Sequence, residues 1–159
     1  MSIGSIIVSS LISFSIAWIG WSKLERRTER TANRSESFSL LTPTISLIGD
    51  IKKLAEEQLE LSSDKTHKSL KKRQAADIKF LTKYQLLRTK LNILKQRNIL
   101  IAEHLLVDLR IAYTNGPIDD IKKLHTAFNS ADRIDIELYA AFERAYPKPD
   151  LRPWLNKWF

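Results

Sequence analysis

The residues able to do chemistry are few. His104 and Asp108 stand four apart with Glu103 beside them, a spacing that puts imidazole and carboxylate on one helix face. Two ligands from one turn make half of a four-coordinate metal site, so the pair reads as a polar contact between helices. His67 and His125 stand alone and read as surface or capping groups. Glu137 and Glu143 are not spaced to share a helix face, so paired-carboxylate catalysis has no support. The chain has no Cys, which excludes thiolate ligands, disulfides and cysteine nucleophiles. It also lacks a Gly-rich phosphate loop, a GxSxG elbow and an HExxH pair. The expectation is a non-enzyme without cofactor or metal.

The elements around these residues say more. With 159 residues, 43% hydrophobic and 28% charged, and with 4 Gly and 5 Pro, the chain has one domain's worth of material and is neither collagenous nor globally disordered. No charged side chain occurs from Met1 to Ser22, and Ile3 to Trp21 is mostly Ile, Leu, Val, Phe, Ala and Trp diluted by Ser. About 20 such residues suffice to cross a bilayer as a helix, so 1–22 is read as a transmembrane anchor. A cleaved secretory signal fits less well. No Lys or Arg precedes the run, and the small-x-small candidate Ser15-Ile16-Ala17 is followed by Trp18. Lys23, Arg26, Arg27, Arg30 and Arg34 all follow the run. The positive-inside bias therefore places the amino terminus outside and the C-terminal domain in the cytoplasm, with Trp18, Trp21 and Lys23 as interface anchors. Ser5, Ser9, Ser13 and Ala17 recur every four residues. Such a small stripe lets transmembrane helices approach closely, which offers a route to homo-oligomers.

Residues 23–41 are polar and mixed in charge, read as a solvated continuation of the anchor helix or a juxtamembrane tether. Thr42 and Pro43 carry the signature of a helix start, with Leu41 as the staple before the cap. Ile45, Ile48, Ile51, Leu54, Ala55 and Leu59 continue a helical stripe. Ser62, Ser63 and Asp64 interrupt it and supply caps for a second, long helix reaching about Tyr113. Asn115-Gly116-Pro117 closes that helix and opens another with Ile118, Ile121, Leu124 and Phe128 on its buried face. Asn129 or Ser130 is the expected cap of a last short helix, Ala131 to Ala145, burying Ile134, Leu138, Ala141, Phe142 and Ala145. No strand alternation occurs. The predicted fold is all-α: a single N-terminal transmembrane helix, then a helical hairpin with a long basic helix and two short C-terminal helices. Its domains are the anchor, the tether, a coiled-coil-like bundle over 42–146, and a Pro-rich aromatic tail over 147–159.

Counting from Asp77 in steps of three and four, the long helix carries a seam of Phe80, Tyr84, Leu87, Leu91, Leu94, Asn98, Ile101, Leu105, Asp108 and Ala112. In this reading Asn98 is a buried polar group that fixes register. Lys90 and Lys95 flank the seam and would face each other in a parallel homodimer, so self-pairing is disfavoured. Folding back on the preceding helix brings Glu56, Glu57 and Glu60 near the start of the long one.

Residues 65–97 hold eleven Lys and Arg against the single acid Asp77, while the whole chain nets +8. Lys65, Lys68, Lys72, Lys79, Lys83, Lys90 and Arg97 fall within about 60° of one another on a helix. Such a stripe attracts an anionic leaflet or an acidic protein. Nucleic acid is the poorer fit, because Phe80 and Tyr84, the segment's aromatic groups, belong to the seam rather than to a stacking platform. In the terminal tail, Trp154, Trp158 and Phe159 with Arg152 and Lys157 suit a membrane interface, a partner, or a cap on the core.

Taken together, these features describe a single-pass membrane adaptor or scaffold that recruits a cytoplasmic protein. The other reading is a membrane-acting effector that oligomerises through its transmembrane helix and perturbs the bilayer.

Overall fold

The computed structural model describes residues 3–62 and 67–147, with side chains from 13 and from 69. These residues form four α-helices: α1 (Ile3–Ser62), α2 (His67–Gln96), α3 (Glu103–Thr114) and α4 (Ile121–Ala145), and no strand occurs among them. The chain divides into two compact units, residues 1–38 and residues 39–159.

In the first unit the polar segment after the apolar run is helical, as a solvated continuation would be. Its threonines answer their own backbone: the Thr28 hydroxyl donates to the Leu24 carbonyl at 2.9 Å and Thr31 to Arg27 at 2.9 Å. These i to i−4 bonds satisfy the hydroxyls without a partner element.

In the second unit, α1 supplies Leu41, Leu47, Ile48, Ile51, Leu54 and Ala55 to the core. The sequence predicts a helix start at Thr42-Pro43, yet Pro43 lies inside α1. Proline removes one amide donor and crowds the preceding turn. Buried groups on both sides of it outweigh that cost: Leu41 and Thr44 are fully buried, and the Thr44 hydroxyl donates to the Leu40 carbonyl at 2.8 Å. Leu41, assigned by sequence to the tether's end, is a core residue.

α1 and α2 are joined by polar pairs in which Glu57, of the three acids the sequence singles out, takes part together with Asp50 and Gln58. Gln58 Nε2 donates to Asp77 Oδ1 at 2.7 Å, Lys79 reaches Glu57 at 3.4 Å and Lys83 reaches Asp50 at 2.8 Å. Residue numbers rise on one helix as they fall on the other, so the two are antiparallel.

The long helix does not persist to Tyr113. It ends at Gln96, and Asn98 adopts a left-handed backbone with φ of 62°. The Asn98 amide donates to the Lys95 carbonyl at 3.1 Å and the Ile99 amide to the Leu94 carbonyl at 3.1 Å. This is the Schellman pairing, accompanied by its apolar contact positions, since Leu94 and Ile99 are both buried. Asn tolerates the left-handed region better than other residues with a side chain. Asn98 is thus an exposed turn residue rather than a buried register group, and the seam is corrected from there on. Phe80, Tyr84, Leu87, Leu91 and Leu94 are buried as expected, and so is Leu105. Ile101, Asp108 and Ala112 are half-buried, and α3 instead buries Leu105, Leu109 and Tyr113.

Gly116 takes a positive φ of 97° just past α3, closing it where the Asn-Gly-Pro signal predicted. Asp120 then caps α4, its side chain accepting from the Lys123 amide at 2.7 Å. The expected break at Asn129-Ser130 is absent: α4 is a single helix of 25 residues. Ser130 faces the core beside Ala127 and Ala131, and its hydroxyl donates to the Thr126 carbonyl at 2.9 Å. The capping appetite that suggested a boundary is met inside the helix. Ile118 is fully buried, whereas Ile121, placed with it by sequence, is exposed.

Replacing Asn98 discriminates the turn from a continuous seam. Asn98→Gly is expected to leave thermal stability within a few tenths of a kcal/mol or raise it, and Asn98→Leu to cost about 1–2 kcal/mol. A stabilised Asn98→Leu chain would restore the seam reading.

Candidate functional site

Phe80 of α2 and Tyr113 of α3 stack face to face, with ring centroids 4.2 Å apart and planes 1° from parallel. The Tyr113 hydroxyl donates to the Ile51 carbonyl of α1 at 2.7 Å. Burial, aided by the negative charge of Glu56, holds that hydroxyl well above the ordinary tyrosine range, so it remains a neutral donor. Beside this pair lies a pocket of about 360 Å³ lined by Gln58 of α1, by Arg73, Asp77 and Leu81 of α2, and by Thr114, Gly116 and Pro117 at the end of α3 and just past it.

The pocket's polar groups are incompletely used. Gln58 is 5% exposed. Its amide nitrogen is spent on Asp77, while its Oε1 is buried without a hydrogen-bond partner, as is Arg73 Nε. Partial burial raises the Asp77 carboxyl above the usual aspartate value, and the Arg73 charge works against that rise. Sequence reasoning missed this site. The available signal was Asp77 itself, the lone acid in a basic segment, together with the Asn-Gly-Pro turn that places Gly116 and Pro117 nearby.

A second polar cluster joins α1 to α4. Lys52 pairs with Asp132 and lies over the Phe128 ring, 5.8 Å from its centroid. Asp135, one turn along, has a buried Oδ1 without a hydrogen-bond partner; burial raises its carboxyl, with Lys52 pulling it down and Asp132 pushing it up.

The residues singled out by sequence are distributed differently. His104 is exposed, Glu103 is 92% exposed with Lys95 at 3.9 Å, and Asp108 accepts from Arg133 of α4 at 3.2 Å. Asp108 therefore makes an interhelical contact of the kind the spacing suggested. Among the described residues, no group of three or more His, Asp or Glu is placed to hold a metal ion. Glu137 is bound by Arg144 at 2.6 Å.

The basic stripe is partly consumed within the bundle. Lys79 and Lys83 pair with Glu57 and Asp50 of α1. The Lys83 bond holds the Asp50 carboxyl below its usual value, against the opposing effect of burial. Lys90 and Arg97 are half-buried, while Lys72 is exposed beside Lys71, and Arg88 is exposed on another side of α2. Lys65 and the side chain of Lys68 lie outside the described residues, as do the side chains of Ser5 and Ser9 and the aromatic tail. Ser13, Ala17, Trp18, Trp21 and Lys23 are exposed. Among the described residues no helix is long and apolar enough to cross a membrane.

No family model, no curated protein and no solved structure matches the chain.

Two variants test the buried polar groups. Tyr113→Phe keeps the stack on Phe80 and removes the bond to Ile51, an expected loss of about 1 kcal/mol in urea unfolding. For Asp135, the raised carboxyl means the folded state holds its proton more tightly than the unfolded state. Stability from this group is full below the ordinary aspartate value and lost as pH rises through the raised one. Asp135→Asn should therefore raise stability at neutral pH and leave it nearly unchanged once the pH is below the ordinary aspartate value. An equal change at both pH values would contradict the desolvation account.

Proposed function

We propose that the chain is a non-enzymatic, single-pass membrane-anchored helical adaptor whose bundle recruits a protein partner in the cytoplasm. The observation that carries this reading is the exposure of Phe14, Ile16, Trp18, Ile19 and Trp21, each at least 55% accessible. At 100° per residue these side chains spread over about 220° of the circumference of α1, with the small Ser13, Ala17 and Gly20 on the remaining arc and no charge on either. A helix with so wide an apolar surface and no charged face belongs in a membrane or a protein core. The anchor draws on the complete uncharged run from Ile3, of which the described side chains begin at Ser13.

The cluster Lys23, Arg26, Arg27, Arg30 and Arg34 supports a cytoplasmic orientation for the remainder of the chain. The exposed Lys71 and Lys72 of α2 suit an anionic leaflet or an acidic partner. Recruitment rather than catalysis is supported by the ion pairs that already occupy Asp50, Glu57, Asp108 and Glu137. These groups hold helices and helical turns together.

The absence of Cys makes topology directly measurable. Ser2→Cys and Ser63→Cys, made singly, are labelled in intact cells with a membrane-impermeant maleimide. The expected result is a chain that resists alkaline extraction from membranes, with position 2 labelled and position 63 protected until lysis. A chain released into the soluble fraction overturns the anchor, and labelling at position 63 in intact cells overturns the orientation.

A further inference from the structure

The stretch of α1 from Lys23 to Glu36 is mixed in charge by composition but sorted by face. At 100° per residue, Lys23, Arg26, Arg27, Arg30 and Arg34 fall within about 100° of one another, and Glu25, Glu29 and Glu36 within about 40°, the two arcs centred about 140° apart. All are exposed except Arg34, which is half-buried. Neighbours along each face repel: Lys23 and Arg27, Arg26 and Arg30, Arg30 and Arg34, and Glu25 and Glu29 are like charges four residues apart, which destabilise an isolated helix. Arg26 and Glu29 are opposite charges three apart, yet among the described residues no ion pair involves either, nor Glu25 or Arg30.

An anionic leaflet answers little of this pattern. α1 runs without a break through the segment, so Arg34 stands about 16 Å along the axis from Lys23, twice the roughly 8 Å over which physiological salt screens a charge. The leaflet would also repel the acidic face. A second copy answers both faces. Glu25 and Arg30 stand five apart, the offset of the two flanking positions that meet across parallel helices in register, and their arcs lie on either side of one seam as those positions do. An antiparallel pair would set acid against acid and base against base.

We infer that a second copy of this chain docks on this helix, parallel and in register, with Glu25 of each copy against Arg30 of the other. The inference rests on the membrane-anchor reading, which gives every copy the same direction and level. The contact lies wholly within the 1–38 unit, and by symmetry each ion pair is made twice.

Disulfide cross-linking of the purified full-length chain in phosphatidylcholine vesicles tests the pairing, with vesicle flotation reporting the anchor. Asn33→Cys lies on the arc between the two charged faces and Thr31→Cys on the far side of the helix. Dimer is expected at position 33, about ten-fold above position 31. In the Asn33→Cys background, Glu25→Lys with Glu29→Lys, or Arg26→Glu with Arg30→Glu, should each lower the dimer about ten-fold. Mixing the two variants should restore it, which a folding defect would not allow. Equal cross-linking at 31 and 33, insensitivity to the acidic substitutions, or no rescue on mixing overturns the pairing while a floating chain keeps its anchor. A chain that does not float overturns the anchor and the pairing with it.

Discussion

Tyr113 meets two helices at once. Its ring lies on Phe80 of α2 and its hydroxyl reaches the Ile51 carbonyl of α1, so one side chain sets the spacing of α1, α2 and α3. A stacked aromatic pair adds about 0.5–1.5 kcal/mol beyond its buried area, and a buried hydrogen bond about 1 kcal/mol. The directional requirement matters as much as the energy. Leu or Phe at this position fills volume without specifying which carbonyl it must meet. The neighbouring pocket depends on the same constraint, because the end of α3 is held over Gln58 and Arg73 at a distance fixed by the stack rather than by collapse.

Around that point the bundle is completed by charge. Asp50 and Glu57 of α1 neutralise Lys83 and Lys79 of α2, Lys52 meets Asp132 of α4, and Arg133 meets Asp108 of α3. Most of these groups are a third or more exposed, so each pair contributes less than about 1 kcal/mol. Their value is in alignment: a basic helix laid against an acidic one has a preferred direction and register, and alternatives bring like charges together. The excess positive charge of residues 65–97 is thereby split between an inward part that docks α2 and an outward part left to solvent.

Periodicity made the all-helical class and much of the core legible in the sequence. The residues from Phe80 to Leu94 keep the faces their spacing assigns, and Ile134, Leu138, Ala141 and Phe142 do the same on α4. The helix limits were less accessible, for reasons that concern particular residues. A polar group at position 98 fits both a heptad seam and a left-handed cap, and periodicity alone does not separate the two. Pro43 and Ser130 carry genuine start signals that tertiary packing overrides. The Gln58–Arg73–Asp77 grouping joins two helices, and no one-dimensional pattern marks a residue as polar, buried and half-satisfied.

The reversal at Asn98 also orders the assembly of the bundle in time. It places Tyr84 against the Leu106 carbonyl, only 22 residues along the chain, whereas Tyr113 to Ile51 spans 62 and Lys52 to Asp132 spans 80. Chain closure grows costlier with the logarithm of loop length, a difference of about 1 kcal/mol between the shortest and longest of these links. Local contacts form fastest. The α2–α3 corner and the α1–α2 hairpin, whose Gln58–Asp77 bond spans 19 residues, are thus the cheapest pieces of the core to nucleate, and the longer links from α1 to α3 and to α4 close after them.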